Sequence, residues 1–438
     1  MAYRSVASLE SLVEPDRVHR MCYVDPEIFE RELENIFYRT WIYIGHESQV
    51  KNPGDFWTTQ IGRQPMIMVR AYDGQVYVLY NRCPHRGAML CTDRYGNASR
   101  AFQCSYHGWQ FHFDGSVRHI PAAQGYDNTR LSMHDPAFQM KRAARVESYR
   151  GFVFASLSTA GPDLLTWLGG AKAAFDDMCD RAPEGEVEIV PTCFRIIQKS
   201  NWKIFLENQL DAVHPSIAHE STGRAAADVE QAYEERTGEK PPLSYKMLSA
   251  FIMPLEKWGE LETVGHPYGH CMLQGYMGLR PTDPDTLAYE AIMKQAYGEE
   301  RAEAILNVNI HHVLVYPCLS VQSPLQQLRA VRPLAPDRTL TEIWHFRLKG
   351  APEAIYRRSL AYYYLVNSPS TMVNADDLHN FRICHEGLRT QGGEWVSFHR
   401  NAGQDPVHNG IVTSVTGMSE MPMRNQFAAW KAYMLAGG

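Results

Sequence analysis

Cys83-Pro-His85 and Cys104-Ser-Tyr-His107 decide the reading of this chain. Each short stretch carries one thiol and one imidazole, in the pattern C-x-H…C-x2-H. Structural zinc sites usually keep like ligands together, as C-x2-4-C and H-x3-5-H pairs. Mixed pairs at such close spacing suit two metal ions instead, one held by thiolates and the other by imidazoles. Arg86-Gly87 follows the first pair and Gly108-Trp109 the second, and glycines let backbone fold tightly around sulfur.

That donor pattern is the one of a Rieske [2Fe–2S] centre, in which two histidines raise the reduction potential above that of an all-cysteine cluster. It predicts a redox protein, and the electron needs an acceptor. A second constellation supplies one. Asp211-x2-His214-x4-His219 lies in NWKIFLENQLDAVHPSIAHE, and Asp376-Asp377 lies far downstream. Two His and one carboxylate on one face of an ion form the triad of non-haem Fe(II) oxygenases, with positions left open for O2 and substrate. Residues 202–219 read as a helix, with Asp211 and His214 three apart on one face. His214 and His219 are five apart, about 140° around a regular helix. With Pro215 distorting it, His219 is expected on an irregular or terminal turn.

Around these motifs, Asp25-Pro26 opens a helical pattern through Ile28, Phe29, Leu33, Ile36 and Phe37. Strands are expected at 41–45, 65–70 and 75–80, the last two joined by a hairpin turn. Residues 102–104 and 108–113 read as a second hairpin, 152–157 as a closing strand, and 159–163 as a linker. Further on, 313–322, 325–334 and 341–348 read as strands and 353–366 as a helix. The polar stretch 220–245 reads as a mobile surface insertion. The fold class is α+β, with a β-rich metal domain followed by an antiparallel sheet covered by helices, of helix-grip type. The expected boundaries are 1–40 for an N-terminal helical segment packing on the catalytic domain, 41–160 for the cluster domain, and 161–438 for the catalytic domain.

Composition narrows the partners. The chain has 438 residues, 45% hydrophobic content and a formal net charge of −6. With basic residues scattered, no nucleic-acid partner is expected. No apolar stretch reaches the ~20 residues of a membrane span, and the N-terminal segment lacks the apolar core of a signal peptide. The chain has nine cysteines. Cys22, Cys91, Cys179, Cys193, Cys271, Cys318 and Cys384 read as buried small hydrophobes in a reducing, cytoplasmic setting. Neither a G-x-G-x-x-G nor a P-loop is present, so a nicotinamide or flavin donor is expected on a separate chain.

CPHRG, CSYHGW, NWK…EN..D..H….H, the DD..N element at 376–380 and Arg424…Trp430-Lys431 together resemble the large (α) subunit of the Rieske non-haem iron aromatic-ring-hydroxylating oxygenases. The resemblance runs from about residue 25 to Trp430. It implies that Cys83 and Cys104 hold the buried iron of the cluster, and His85 and His107 the outer one. It implies that His214, His219 and Asp377 hold the catalytic iron, with Asp376 as the competitor for the third position. Asp211 matches the carboxylate that bridges to a cluster histidine of a neighbouring subunit, and Asn208 a pocket asparagine near the iron. Family members often carry Tyr before the first histidine, where this chain has Val213, so the pocket differs there.

The resemblance further implies a head-to-tail homotrimer, often with a small β subunit as α3β3, fed by a reductase or ferredoxin. It implies O2 addition to an aromatic substrate to give a cis-dihydrodiol. Length and C-terminal pattern point to the aromatic-carboxylate branch. Arg224, Gln322 and His312 are polar groups able to meet a carboxylate. The competing readings are a monooxygenase or demethylase on the same centres, a Rieske electron carrier, and a zinc-dependent interaction module.

Overall fold

The computed structural model describes residues 9–436 apart from residues 242 and 279; the first eight residues of the N-terminal segment lie outside the described residues. The chain divides into two compact units, Phe37–Leu164 and the remainder, Met1–Ile36 with Leu165–Gly438.

The Phe37–Leu164 unit is built from three small antiparallel sheets. Alternating apolar residues make Asp55–Ile61, Gln64–Arg70 and Val76–Tyr80 neighbours in one sheet, with Tyr95–Asn97 on its edge. Ile42–His46 pairs with Phe152–Ser156, a strand buried throughout, which in turn pairs with Arg145–Tyr149. The third sheet joins Phe102–Gln103, Gln110–Phe111 and Val117–His119. Ile67, Leu79, Phe102, Trp109 and Phe111 form one core with the thiols of Cys83 and Cys104. The anticipated hairpins are all present. The strand at Asp55–Ile61 was not anticipated, because its DFWTTQI sequence mixes polar and apolar residues.

The other unit is organised by a nine-stranded antiparallel sheet. Its order is Val187–Gln198, Arg338–Leu348, Gln327–Ala335, Leu319–Gln322, Ile310–Val315, Cys271–Gly275, Glu262–Gly265, Ile411–Ser414 and Val407–His408. The helix Glu353–Asn367 lies across it: Tyr363 donates to the Ile343 carbonyl at 2.7 Å, and Ser359 Oγ meets His345 Nε2 at 3.1 Å. A second long helix, Met372–Leu388, follows.

The helix Pro26–Glu32 starts where expected: the Asp25 carboxylate accepts from the amides of Glu27 and Ile28 at 2.8 and 3.1 Å. It ends on Glu32, whose carboxylate is fully buried. That carboxylate pairs with Lys203 and accepts from Trp202 Nε1 at 2.8 Å and Trp430 Nε1 at 2.7 Å. One acid thus ties the N-terminal helix to Trp202–Asn208 and to the C-terminal helix Met421–Ala436.

Three expectations are corrected. The 202–219 stretch is not one helix: Trp202–Asn208 stops, residues 209–214 turn, and Pro215–Ala218 restarts. Pro215 has no amide hydrogen and occupies a first helical turn, where none is needed. The 220–245 stretch is not an irregular insertion. Glu220–Thr237 is a regular helix ended by the left-handed Gly238, and Ala226 packs with Phe251 and Val373. Its charges line a solvated helix face, and a polar composition does not separate that from a loop. Cys384 is exposed and Cys193 half-buried, so these two are not core thiols.

Candidate active site

The two cysteine–histidine loops of the Phe37–Leu164 unit repeat one another. Gly87 donates its amide to the Cys83 carbonyl and Gly108 to the Cys104 carbonyl, both at 2.9 Å. The amides of Cys83 and Cys104 in turn reach the carbonyls of Ala88 and Trp109, at 2.7 and 2.8 Å. Both turns close through a left-handed glycine, with φ of +79° at Gly87 and +71° at Gly108, where a side chain would be strained. The same sequence logic therefore makes the same loop twice.

The thiols point inward and the imidazoles outward. Cys83 and Cys104 are buried beside each other. His85 and His107 are partly exposed, with ring centroids 4.6 Å apart, and the His85 ring stacks on Trp109 at 4.9 Å. His85 Nδ1 is buried with no hydrogen-bond partner. Burial, then the charges of His107 and Arg86, hold its imidazole below the ordinary range, in the neutral form that ligates metal. Two inner thiols, two outer imidazoles and an orphaned Nδ1 fit a [2Fe–2S] cluster of Rieske type.

In the larger unit, His214, His219 and Asp377 each offer one ligand atom, and these atoms lie within 4.8 Å of one another. It is the only such group of three among the described residues. His214 precedes the short helix Pro215–Ala218, and His219 sits between it and Glu220–Thr237 with φ −108° and ψ 10°, the irregular turn that the spacing requires. Asp377 comes from Met372–Leu388; its Oδ1 is 3.2 Å from His219 Nε2 and 3.9 Å from His214 Nε2. Asp376, one position earlier, faces the far side of the His219 ring, with Oδ2 3.4 Å from Nδ1. Burial alone would lower the His219 imidazole; Asp377 and Asp376 outweigh it and raise it. The site draws positive charge, as a cation site must.

Asn208 completes the constellation. Its Nδ2 lies 3.0 Å from His214 Nε2 and 3.2 Å from Asp377 Oδ1, so it is aimed at the point the ligands share. Asp211 lies in the turn, not on a helix face, yet its Oδ2 is 3.6 Å from His214 Nδ1, slightly beyond hydrogen-bond length. Its other oxygen accepts from the Val213 amide at 2.9 Å and is 3.9 Å from Arg400. Burial raises the Asp211 carboxyl, but His214, the Val213 amide and Arg400 together hold it below its ordinary value, as a carboxylate.

The triad opens onto a cavity of about 270 Å³, in which Phe205, Phe251, Leu325 and Tyr362 supply apolar wall. Gln322 and His312 also face it. Arg224 does not: it stands exposed on the Glu220–Thr237 helix, paired with Glu220 at 2.6 Å. Sequence reasoning missed Arg329 and Gln209, which line the cavity from the strand Gln327–Ala335 and from the turn after Asn208. Arg329 sits in the stretch QLRAVRPLA, where a charge between Gln327 and Val331 on one strand face was the available, weak signal.

Comparison with known proteins finds the same two domains. Residues 40–149 match the Rieske [2Fe-2S] domain, and residues 178–437 match the catalytic domain of the ring-hydroxylating alpha subunits. The chain is 33% identical to the toluate 1,2-dioxygenase alpha subunit of Pseudomonas putida, over 88% of this chain and 83% of that one. It is 31% identical to the anthranilate 1,2-dioxygenase large subunit of Acinetobacter baylyi, over 96% and 90%. Against the solved structure of naphthalene 1,2-dioxygenase with indole in its active site, the TM-score is 0.82 at 25% identity, covering 98% of this chain and 94% of that one. Duplicated cysteine–histidine loops, a two-histidine, one-carboxylate site on a cavity wall and these matches along nearly the whole chain lead to one conclusion: the chain belongs to the Rieske non-haem iron ring-hydroxylating dioxygenase alpha subunits, whose cofactors are a [2Fe–2S] cluster and a mononuclear iron.

Proposed function

We propose that this chain is the terminal oxygenase of a multicomponent system that adds both atoms of O2 to the ring of an aromatic or heteroaromatic carboxylate. The product is a cis-dihydrodiol or its breakdown product. The observation that carries the reading is the convergence of His214, His219 and Asp377 on the wall of a cavity of about 270 Å³, room for a small aromatic molecule. The carboxylate is supported by relatives named for 2-halobenzoate, toluate and anthranilate.

In this reading Cys83 and Cys104 hold the inner cluster iron and His85 and His107 the outer one. His214, His219 and Asp377 hold the catalytic iron on one face. When bound, the cluster supplies electrons and the iron supplies the dioxygen chemistry. Asp376 steadies the His219 ring from behind, and Asp211 does the same for His214. Asn208 spans His214 and Asp377 and keeps the two ligands in register. The apolar wall holds the ring and excludes water.

The balance is arene plus O2 plus two electrons and two protons. The electrons come from NAD(P)H through a separate reductase or ferredoxin. The assembly is a head-to-tail homotrimer, with a small β subunit as α3β3, in which Asp211 links the catalytic site to the His85–His107 end of a neighbour's cluster. In this reading the domains run 41–160 and 161–438, with the N-terminal segment up to residue 40 belonging to the catalytic domain as far as it is described, and the protein works in the cytoplasm. No helix among the described residues is long and apolar enough to cross a membrane.

The test is turnover of a panel of aromatic acids and hydrocarbons with a reductase supplied and 18O2 as oxidant. Two labelled atoms in one ring product are expected. Incorporation of one atom makes the protein a monooxygenase; turnover with NADH and this chain alone refutes the separate donor.

A further inference from the structure

Four arginines line the cavity. Arg181 pairs with Asp177 at 3.0 Å, Arg280 with Glu290 and Glu303 at 2.8 and 2.7 Å, and Arg358 with Asp283 at 3.0 Å. Arg329 has no carboxylate partner among the described residues. Its terminal nitrogens donate to two neutral amides, Gln209 Oε1 at 2.7 Å and Asn367 Oδ1 at 2.9 Å. Its Nε is buried and makes no hydrogen bond. Arg329 is half-buried in the cavity wall, and Asp377 is the carboxylate that acts on its charge, though no ion pair joins them. A guanidinium largely withdrawn from water without an ion pair is costly. Natural interiors tolerate one where an anion arrives.

The setting is prepared for that anion. Asn367 is locked by its own donations to Gln327 and Tyr363, at 2.9 and 3.0 Å, so its oxygen holds the guanidinium in place. His312, Gln322 and Arg329 belong to adjacent strands, and the pairing of His312 with Gln322 and of Gln322 with Gln327 puts all three on one sheet face. Burial, then the Arg329 charge, pushes the His312 imidazole down to about 3, so it stays neutral and adds a polar contact without a second charge. Of the acids on the wall, Glu290 is taken by Arg280 and Asp211 faces His214 and Arg400. That leaves Asp377, whose single negative charge a divalent iron more than cancels.

Resting on the functional reading above, we infer that Arg329 is the substrate-binding group that receives the ring carboxylate, with Gln322 and His312 beside it, and that it selects monoanionic aromatic acids over neutral arenes. The competing role is mechanical. Arg329 holds Gln209, Gln209 Nε2 donates to Asn208 at 2.9 Å, and Asn208 reaches the metal ligands. A mere clamp would act on every substrate alike. An anchor acts on charge.

The experiment is calorimetric titration of the holoenzyme under argon with benzoate and with its neutral near-isostere, benzamide. The wild type should bind benzoate about 10- to 100-fold more tightly, the range of a charge-assisted hydrogen bond. Arg329→Gln should erase that preference, lowering benzoate affinity about 10-fold or more beyond any loss for benzamide. Arg329→Lys, which keeps the charge and loses the fork, should retain part of it. Equal wild-type affinity for the two probes overturns the inference. So does an Arg329→Gln protein that keeps the preference, or one that loses both ligands in parallel. If Arg329→Gln does not take up its metals, the wild-type pair and Arg329→Lys still decide. Ring hydroxylation is scored separately on toluene. Charge-blind binding with toluene oxidised refutes the anchor and spares the reaction, whereas Arg329-dependent binding with no ring product from any substrate does the reverse.

Discussion

Exchanging the adjacent carboxylates one at a time separates a metal ligand from its support. Among the described residues, Asp377 is the only acid whose oxygen approaches both His214 and His219 Nε2, at 3.9 and 3.2 Å. Asp377→Ala removes the carboxylate member of the triad and leaves two imidazoles as ligands, so mononuclear iron should be lost on dialysis. Asp376 touches the site only through His219 Nδ1, at 3.4 Å. Outer partners of this kind are worth 10- to 100-fold in metal affinity, or roughly 1.4–2.7 kcal/mol. The contact is long and the Asp376 side chain is 35% exposed, which places Asp376→Ala near the lower end, about tenfold. Competition with a graded ferrous chelator measures both affinities. The visible cluster spectrum is the internal control, because its ligands come from other loops and should not change. If Asp376→Ala empties at a chelator concentration at which Asp377→Ala stays loaded, the assignment within the pair is reversed. Equal losses would mean that neither the distances nor the two sides of the His219 ring distinguish the residues.

Other outcomes follow from the same geometry. Cys104→Ala should bleach the red-brown visible absorption; a colourless, zinc-loaded and active protein would contradict the cluster. Asp211→Asn keeps every metal ligand, so both centres should fill and the cluster should accept electrons, but single turnover of pre-reduced enzyme should stall; normal cluster reoxidation and product yield would make Asp211 an ordinary acid. Glu32→Ala strands the buried Lys203, and denaturant unfolding should show a loss of about 3–5 kcal/mol, smaller when Lys203→Met is added; a cost below about 1 kcal/mol refutes the shared acid. Glu207 is held up to about 8, chiefly by burial, while accepting from Tyr23 at 2.9 Å. The native state therefore keeps a proton that the unfolded chain has released. Stability should fall as pH rises from about 4.5 to about 8, by at most ~1.4 kcal/mol per pH unit, and Glu207→Gln should flatten that slope.

Both metal motifs were legible in the chain because ligation depends on residue type at short spacing. C-x-H and C-x2-H each lie within one turn, and the local backbone, closed by Gly87 and Gly108, is enough to shape them. His214, His219 and the Asp376–Asp377 pair were legible as donors for the same reason, and the hairpins of the first unit because alternation and turn residues are local signals. The resemblance named Asp377 over Asp376, but composition and spacing could not separate them, since adjacent helix positions point about 100° apart and the packing of Met372–Leu388 determines which one meets the histidines. Tertiary structure also moved Asp211 off the expected helix face and turned most of the polar 220–245 stretch into a packed helix, Glu220–Thr237. Arg329 shows the limit most plainly. In sequence it is one basic residue among many. Its character comes from what the fold places around it, two amide oxygens and, among the described residues, no ion-paired acid, and that arrangement has no trace in a linear chain.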